Sequence, residues 1–167
     1  MDDDILLEEC ISANVLQYPK YLLSLVALIT SLQPVYFSHA INGLEWNRHI
    51  NALIYVLITI LTTYILTQAY IVMVESEFWA RQRHFAEGSE KDEKLLRRLR
   101  LQVAVGYTLF FVNGVFFLMC TCLMSYIFRH TDPLASYVLS PSLTSSLLLL
   151  IAHKNKESCQ RRLRRHK

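Results

Sequence analysis

Four apolar stretches, separated by short polar segments, limit this chain more than any other feature of its 167 residues. Tyr21 to Phe37, Ala52 to Val74, Val103 to Phe128 and Leu134 to Ala152 are each long enough to cross about 30 Å of hydrocarbon at about 1.5 Å per helical residue. Backbone amides in lipid must be bonded within their own segment, so the stretches predict four transmembrane helices. The expected fold is an all-α polytopic membrane protein. Its expected parts are an acidic N-terminal segment over 1–20, helices one and two over 21–74, a short charged helical loop over 75–102, helices three and four over 103–152, and a basic tail over 153–167.

Charge then orients the spans. The 75–102 segment carries Arg81, Arg83, Lys91, Lys94, Arg97, Arg98 and Arg100, and the tail carries Lys154, Lys156, Arg161, Arg162, Arg164, Arg165 and Lys167, whereas the segments between hold only Arg48 and Arg129. Lys/Arg in short flanking segments stay on the cytosolic side, so the central loop, the tail and, by an even span count, the N-terminus are expected in the cytosol. The formal net charge of +3 conceals an acidic start and a basic end. Met1-Asp2-Asp3-Asp4 offers no basic n-region for a cleavable signal, so the first span is expected to be retained. Ile5, Leu6 and Leu7 fit either a surface-lying amphipathic piece or a frayed acidic tail.

Local signals refine the spans. Pro34 removes a backbone hydrogen bond, which predicts that span one stops or bends near Leu32. Trp46 suits an interfacial anchor. Helix formers run through the 75–100 region with one break at Gly88-Ser89, predicting two short helices that continue spans two and three. In the second, Glu90–Lys94 and Glu93–Arg97 stand at i,i+4 beside a leucine stripe. Asp132-Pro133 reads as an N-cap followed by proline at the first helical position, giving a tight hairpin between spans three and four. Pro141 predicts a kink in span four.

Chemistry-bearing patterns are sparse. The sequence has no glycine-rich phosphate loop and no His/Glu metal spacing; Cys120-Thr121-Cys122 directs its thiols to different sides of a helix. The histidines fall at span ends or in loops. No enzyme, cofactor or metal is expected, nor a structural disulfide from cysteines in reduced or lipid-buried positions. Span two places Tyr55, Thr59, Thr63 and Tyr70 near one helical face. Such hydroxyls serve either helix packing or a polar path for a neutral solute in a small four-span transporter or channel. No span contains an ionisable side chain, which argues against ion coupling. The basic clusters attract anionic lipid, and the Arg161-Arg162-Leu163-Arg164-Arg165 run is dense enough for a phosphate backbone. A bundle that scaffolds membrane through lipid attraction alone fits the same charges.

Asn51-Ala52-Leu53-Ile54-Tyr55, Thr59, Thr62-Thr63-Tyr64 and Ala69-Tyr70 are similar to one span of the gamma-subunit family of the translocon-associated protein (TRAP) complex. Asp132-Pro133-Leu134-Ala135-Ser136-Tyr137-Val138-Leu139-Ser140 and Thr144-Ser145-Ser146-Leu147 resemble that family's last span, and Asp2-Asp3-Asp4-Ile5-Leu6-Leu7-Glu8 its N-terminal segment. The resemblance implies four spans, cytosolic ends and a non-enzymatic endoplasmic reticulum subunit in a hetero-oligomer with other TRAP subunits, beside the Sec translocon. It also implies contact with the ribosomal large subunit, through its RNA and a ribosomal protein. The basic residues named above, Arg81 to Arg100 and Arg161 to Arg165, are the corresponding contact candidates; Tyr55, Thr59, Thr63, Tyr70 and Tyr137 are the packing candidates. The central loop is shorter than is usual in that family and the basic tail longer, so the tail is expected to supply contacts the loop lacks.

Overall fold

A computed structural model describes residues 20–40, 49–81 and 90–164, and all the regular elements among them are helical. Helix α1 spans Lys20–Ala40, α2 His49–Arg81, α3 Glu90–Cys122 and α4 Pro133–Arg164; a π-helical turn, Leu123–Ile127, prolongs α3. Each of the four long helices is long and apolar enough to cross a membrane. Large apolar side chains such as Ile29, Leu57, Phe110, Leu118 and Leu150 point outward. Water would penalise that much apolar surface, whereas hydrocarbon accommodates it. The molecule is a four-helix, multi-pass membrane protein.

Buried residues lie on rows at i+4 spacing, the ridges by which helices interlock. In α1 the row is Leu23, Ala27, Ser31 and Val35; in α3 it is Ala104, Thr108, Val112, Phe116 and Cys120. In α4, Ser136, Ser140 and Thr144 form such a row of small polar side chains, continued by Leu148 and Ala152. Small residues let backbones approach where lipid supplies no hydrophobic drive for association. The largest interface joins α2 to α4.

Cross-helix pairs fix the directions. Ser38 meets Tyr55 and Ser31 meets Thr63, so α1 and α2 are antiparallel. Tyr55 meets Tyr137 and Ser76 meets Asn155, so α2 and α4 run parallel. Thr30 meets Asn113 and Gln33 meets Thr121, making α1 parallel to α3. One end of the bundle therefore holds the α3–α4 hairpin and the other holds the ends of α2 and α4 and the start of α3. Two apolar cores follow that axis. Leu23, Leu66, Tyr70, Phe116 and Leu148 belong to the larger, and Val35, Tyr55, Cys120, Met124 and Tyr137 to the one nearer the hairpin.

The basic tail is the boundary that differs from the sequence reading. Of the stop or bend expected near Leu32, the stop does not occur, and α1 continues through Pro34 to Ala40. Buried Val35 and Ser38, the latter bonded to Tyr55, hold the turns beyond the proline. As the run of helix formers predicts, span two runs on to Arg81 and span three starts as a helix at Glu90. The basic segment after Ala152 is no detached tail, because α4 stays helical to Arg164 and passes through Pro141. Neither glycine nor proline interrupts 153–164, and an Arg161–Glu157 pair at 3.7 Å lies along the helix. The hairpin closes in five residues, 128–132, where Phe128 N–H donates to Leu123 O at 2.8 Å and Asp132 O receives Ser136 N–H at 2.9 Å. Asp132 thus occupies the N-cap position ahead of Pro133. The acidic N-terminal piece, Trp46, Arg83, Gly88-Ser89 and Arg165 lie outside the described residues.

Candidate functional site

The basic candidates divide by environment. Arg97 and Arg98 are exposed on the early turns of α3; Lys91 and Lys94 stand on the same stretch of helix, and Arg162 and Arg164 on the last turn of α4. Arg161 is exposed, with Glu157 one turn earlier its i,i+4 partner at 3.7 Å. Arg100 is half-buried and engaged with the protein. Arg81 belongs to the bundle: its Nε lies 3.6 Å from Glu77 Oε2, and its guanidinium stacks over the Tyr107 ring at 5.3 Å from the centroid. The 3.6 Å separation is an ion pair, and that nitrogen makes no hydrogen bond.

The Arg81–Tyr107 contact sets the geometry of this end. It brings the end of α2 level with Tyr107, so the first turns of α3, from Glu90 onward, project past α2 by about 25 Å at about 1.5 Å per residue. Leu95 and Leu99 are exposed on that projection. Where α2 and α4 leave the bundle, Lys156 Nζ donates to Glu75 Oε2 at 2.8 Å, and Asn155 Nδ2 lies within hydrogen-bond reach of Ser76 Oγ at 3.1 Å and Glu77 Oε1 at 3.4 Å. This lock registers α4 against α2, so Arg161 stands near the level of Arg81 and the exposed cations of α3 and α4 share one end. The lock was not foreseen. Its signal was the placement of Glu75 and Lys156 just beyond their apolar stretches.

Hydroxyls fill the interior. Tyr137 OH has one hydrogen and donates it to Tyr55 O at 3.3 Å, leaving Thr59 as the donor in its 3.4 Å contact with Tyr137. The Tyr55 and Tyr137 rings meet edge to face at 4.5 Å. Thr63 Oγ1 donates to Thr59 O at 2.7 Å and meets Ser31 Oγ at 2.8 Å. Tyr70 OH donates to Asn113 Oδ1, which also receives Thr30 Oγ1 at 2.9 Å. All five packing candidates therefore bond to another helix or to their own backbone. Asn113, which joins three helices, was visible in the sequence only as a polar interruption of span three.

Two cavities interrupt the bundle's surface away from the basic end. One, about 550 Å³, is a lateral groove between α1 and α3 lined by Thr30, Gln33, Phe110, Asn113 and Gly114. The other, about 450 Å³, lies at the hairpin. Among the described residues, no group of three or more His, Cys, Asp and Glu side chains is placed to hold a metal. Comparison with protein-family models finds no match, and comparison with curated proteins finds none either.

Proposed function

We propose that this chain is a non-enzymatic subunit of the translocon-associated protein complex in the endoplasmic reticulum membrane, where it holds that complex on the ribosome-bound translocon during co-translational import. The observation that carries the reading is the shared end: the projecting start of α3 exposes Arg97 and Arg98, and the helical end of α4 exposes Arg161, at the same end of the bundle. The residues of spans two and four that resemble the gamma-subunit family give the charge pattern a specific partner. Both termini and the basic end then face the cytosol.

The mechanism is tethering. Several weak charge contacts to ribosomal RNA, joined to a membrane anchor, raise the local concentration of the complex at the translocon without a catalytic step. The Leu95 and Leu99 side chains add apolar area for a large-subunit ribosomal protein. The hydroxyls of span two are bonded to neighbouring helices, which favours packing over a solute path. Membranes solubilised in mild detergent at low salt and sedimented through sucrose test the reading: the chain is expected in the ribosome fraction together with translocon subunits. Sedimentation free of ribosomes at low salt rules it out.

A further inference from the structure

The groove of about 550 Å³ between α1 and α3 opens sideways, toward the hydrocarbon, and one wall carries an unpaired amide. Asn113 turns its carbonyl oxygen inward, to Tyr70 and Thr30, which leaves its amide nitrogen on the side of the groove it lines. Among the described residues that Nδ2 has no hydrogen-bond partner, and its neighbours do not enclose it. Asn113 lies about 15 Å along α3 from Val103 at about 1.5 Å per residue, close to the middle of a hydrocarbon layer about 30 Å thick. Lipid tails have no acceptor at that depth, so an unmatched N–H costs free energy until another group supplies an oxygen. Gln33, on the opposite wall, donates Nε2 to Thr121 at 3.2 Å and keeps its own carbonyl oxygen enclosed, so it offers the groove no acceptor.

The shape of the groove matches a helix. Phe110, Gly114 and Leu118 stand one turn apart on α3, and Phe110 is 83% exposed. A side-chain carbon added at Gly114 would meet no atom within 4 Å, so the backbone there is open between two large apolar side chains. Such a gap admits the close approach of a neighbouring helix, and polar side chains then join the two across the contact. Other occupants fail on one of these features. Headgroups lie too far from mid-span, and an acyl chain fills the gap without an oxygen for the amide. A second copy of this chain meeting the same groove brings no free oxygen either. Asn113 Oδ1 already holds two hydroxyls, Gln33 Oε1 is enclosed, and Thr30 Oγ1 lies 2.9 Å from both Val26 O and Asn113 Oδ1.

We propose that the α1–α3 groove receives one transmembrane helix of another membrane protein, whose mid-span hydroxyl or amide oxygen accepts a hydrogen from Asn113 Nδ2 while its backbone packs against Gly114 between Phe110 and Leu118. This docking is separate from the basic end of the bundle, so a chain that sedimented free of ribosomes would leave it standing. The full chain in phosphatidylcholine vesicles is titrated, by energy transfer, with a fluorescent Leu/Ala transmembrane peptide carrying one mid-span threonine, and with the same peptide carrying valine there. Threonine in a span donates its hydrogen to its own helix and keeps a lone pair for an outside donor, whereas valine matches its shape alone. The threonine peptide is expected to bind about threefold more tightly, the ratio that an average interhelical hydrogen bond in a membrane supports. Asn113→Ala removes that preference, Gly114→Leu weakens binding of both peptides, and Leu57→Ala, on the exposed face of α2, changes neither. Asn113 also joins three helices, so Gly114→Leu, which leaves those bonds in place, carries the test if Asn113→Ala fails to fold. The proposal is overturned by equal binding of the two peptides to the wild type, by no binding of either, by undiminished binding to Gly114→Leu, or by an equal loss in Leu57→Ala. Self-association of the chain that Gly114→Leu abolishes also overturns it, by making the occupant a second copy.

Discussion

Asn113 does more for the bundle than its place in the sequence suggests. One carbonyl oxygen receives hydroxyls from Thr30 of α1 and Tyr70 of α2 while standing on α3, so three helices meet at one atom. Lipid offers no water to replace a lost partner, yet interhelical hydrogen bonds in membranes are worth only about 0.6 kcal/mol on average and reach about 1.7. A double-mutant cycle with Tyr70→Phe and Asn113→Ala, read from unfolding in mixed detergent, is expected to give a coupling energy in that range. Additive single effects would mean the bond contributes nothing. The individual positions of the span-two face were readable beforehand because 3.6-residue periodicity relates them within one helix. Asn113 was not, because its partners sit 83 and 43 residues away in sequence.

At the scale of the element, α4 shows how a sparse helix packs. Its first half is rich in serine and threonine, and the helix passes Pro141, yet Ser136, Ser140, Thr144 and Ser145 are all buried. Small side chains let a neighbouring backbone come close, and Thr144 satisfies its own hydroxyl by donating to Ser140 O at 2.7 Å. The serine-rich composition was legible; which serines face inward was not, since the buried row is set by the neighbours. Position decides the outcome of the same substitution. Ser140→Leu forces a larger side chain into a closed interface and is expected to cost about 1–3 kcal/mol, whereas Ser146→Leu, on the exposed face, meets lipid and leaves stability unchanged or raised. Thermal unfolding of the purified variants in detergent separates them, and equal midpoints would place Ser140 outside the interface. The end of α4 was misjudged for a related reason: apolarity stops at Ala152, but helicity has no cause to stop there and runs to Arg164.

Across the whole molecule, the lock between Glu75, Glu77, Asn155 and Lys156 turns a charge pattern into a geometry. Summed lysines and arginines predict a side of the membrane; they gave no indication that α3 projects past α2 or that the end of α4 lies at the same end of the bundle. That arrangement separates RNA contact from attraction to lipid, because contact neutralises particular phosphates and releases their counterions. Each cation withdrawn from a phosphate reduces the slope of log affinity against log salt by about one. Arg97→Gln with Arg98→Gln in one variant, and Arg161→Gln with Arg162→Gln in another, are each expected to weaken ribosome co-sedimentation and to flatten its salt slope, with the two losses adding when combined. If the α4 variant keeps the wild-type slope while the α3 variant loses it, the C-terminal segment does not take over contacts from the short central loop. If neither slope changes, the cations serve the lipid surface, and the ribosome must be removed from this account of the basic end.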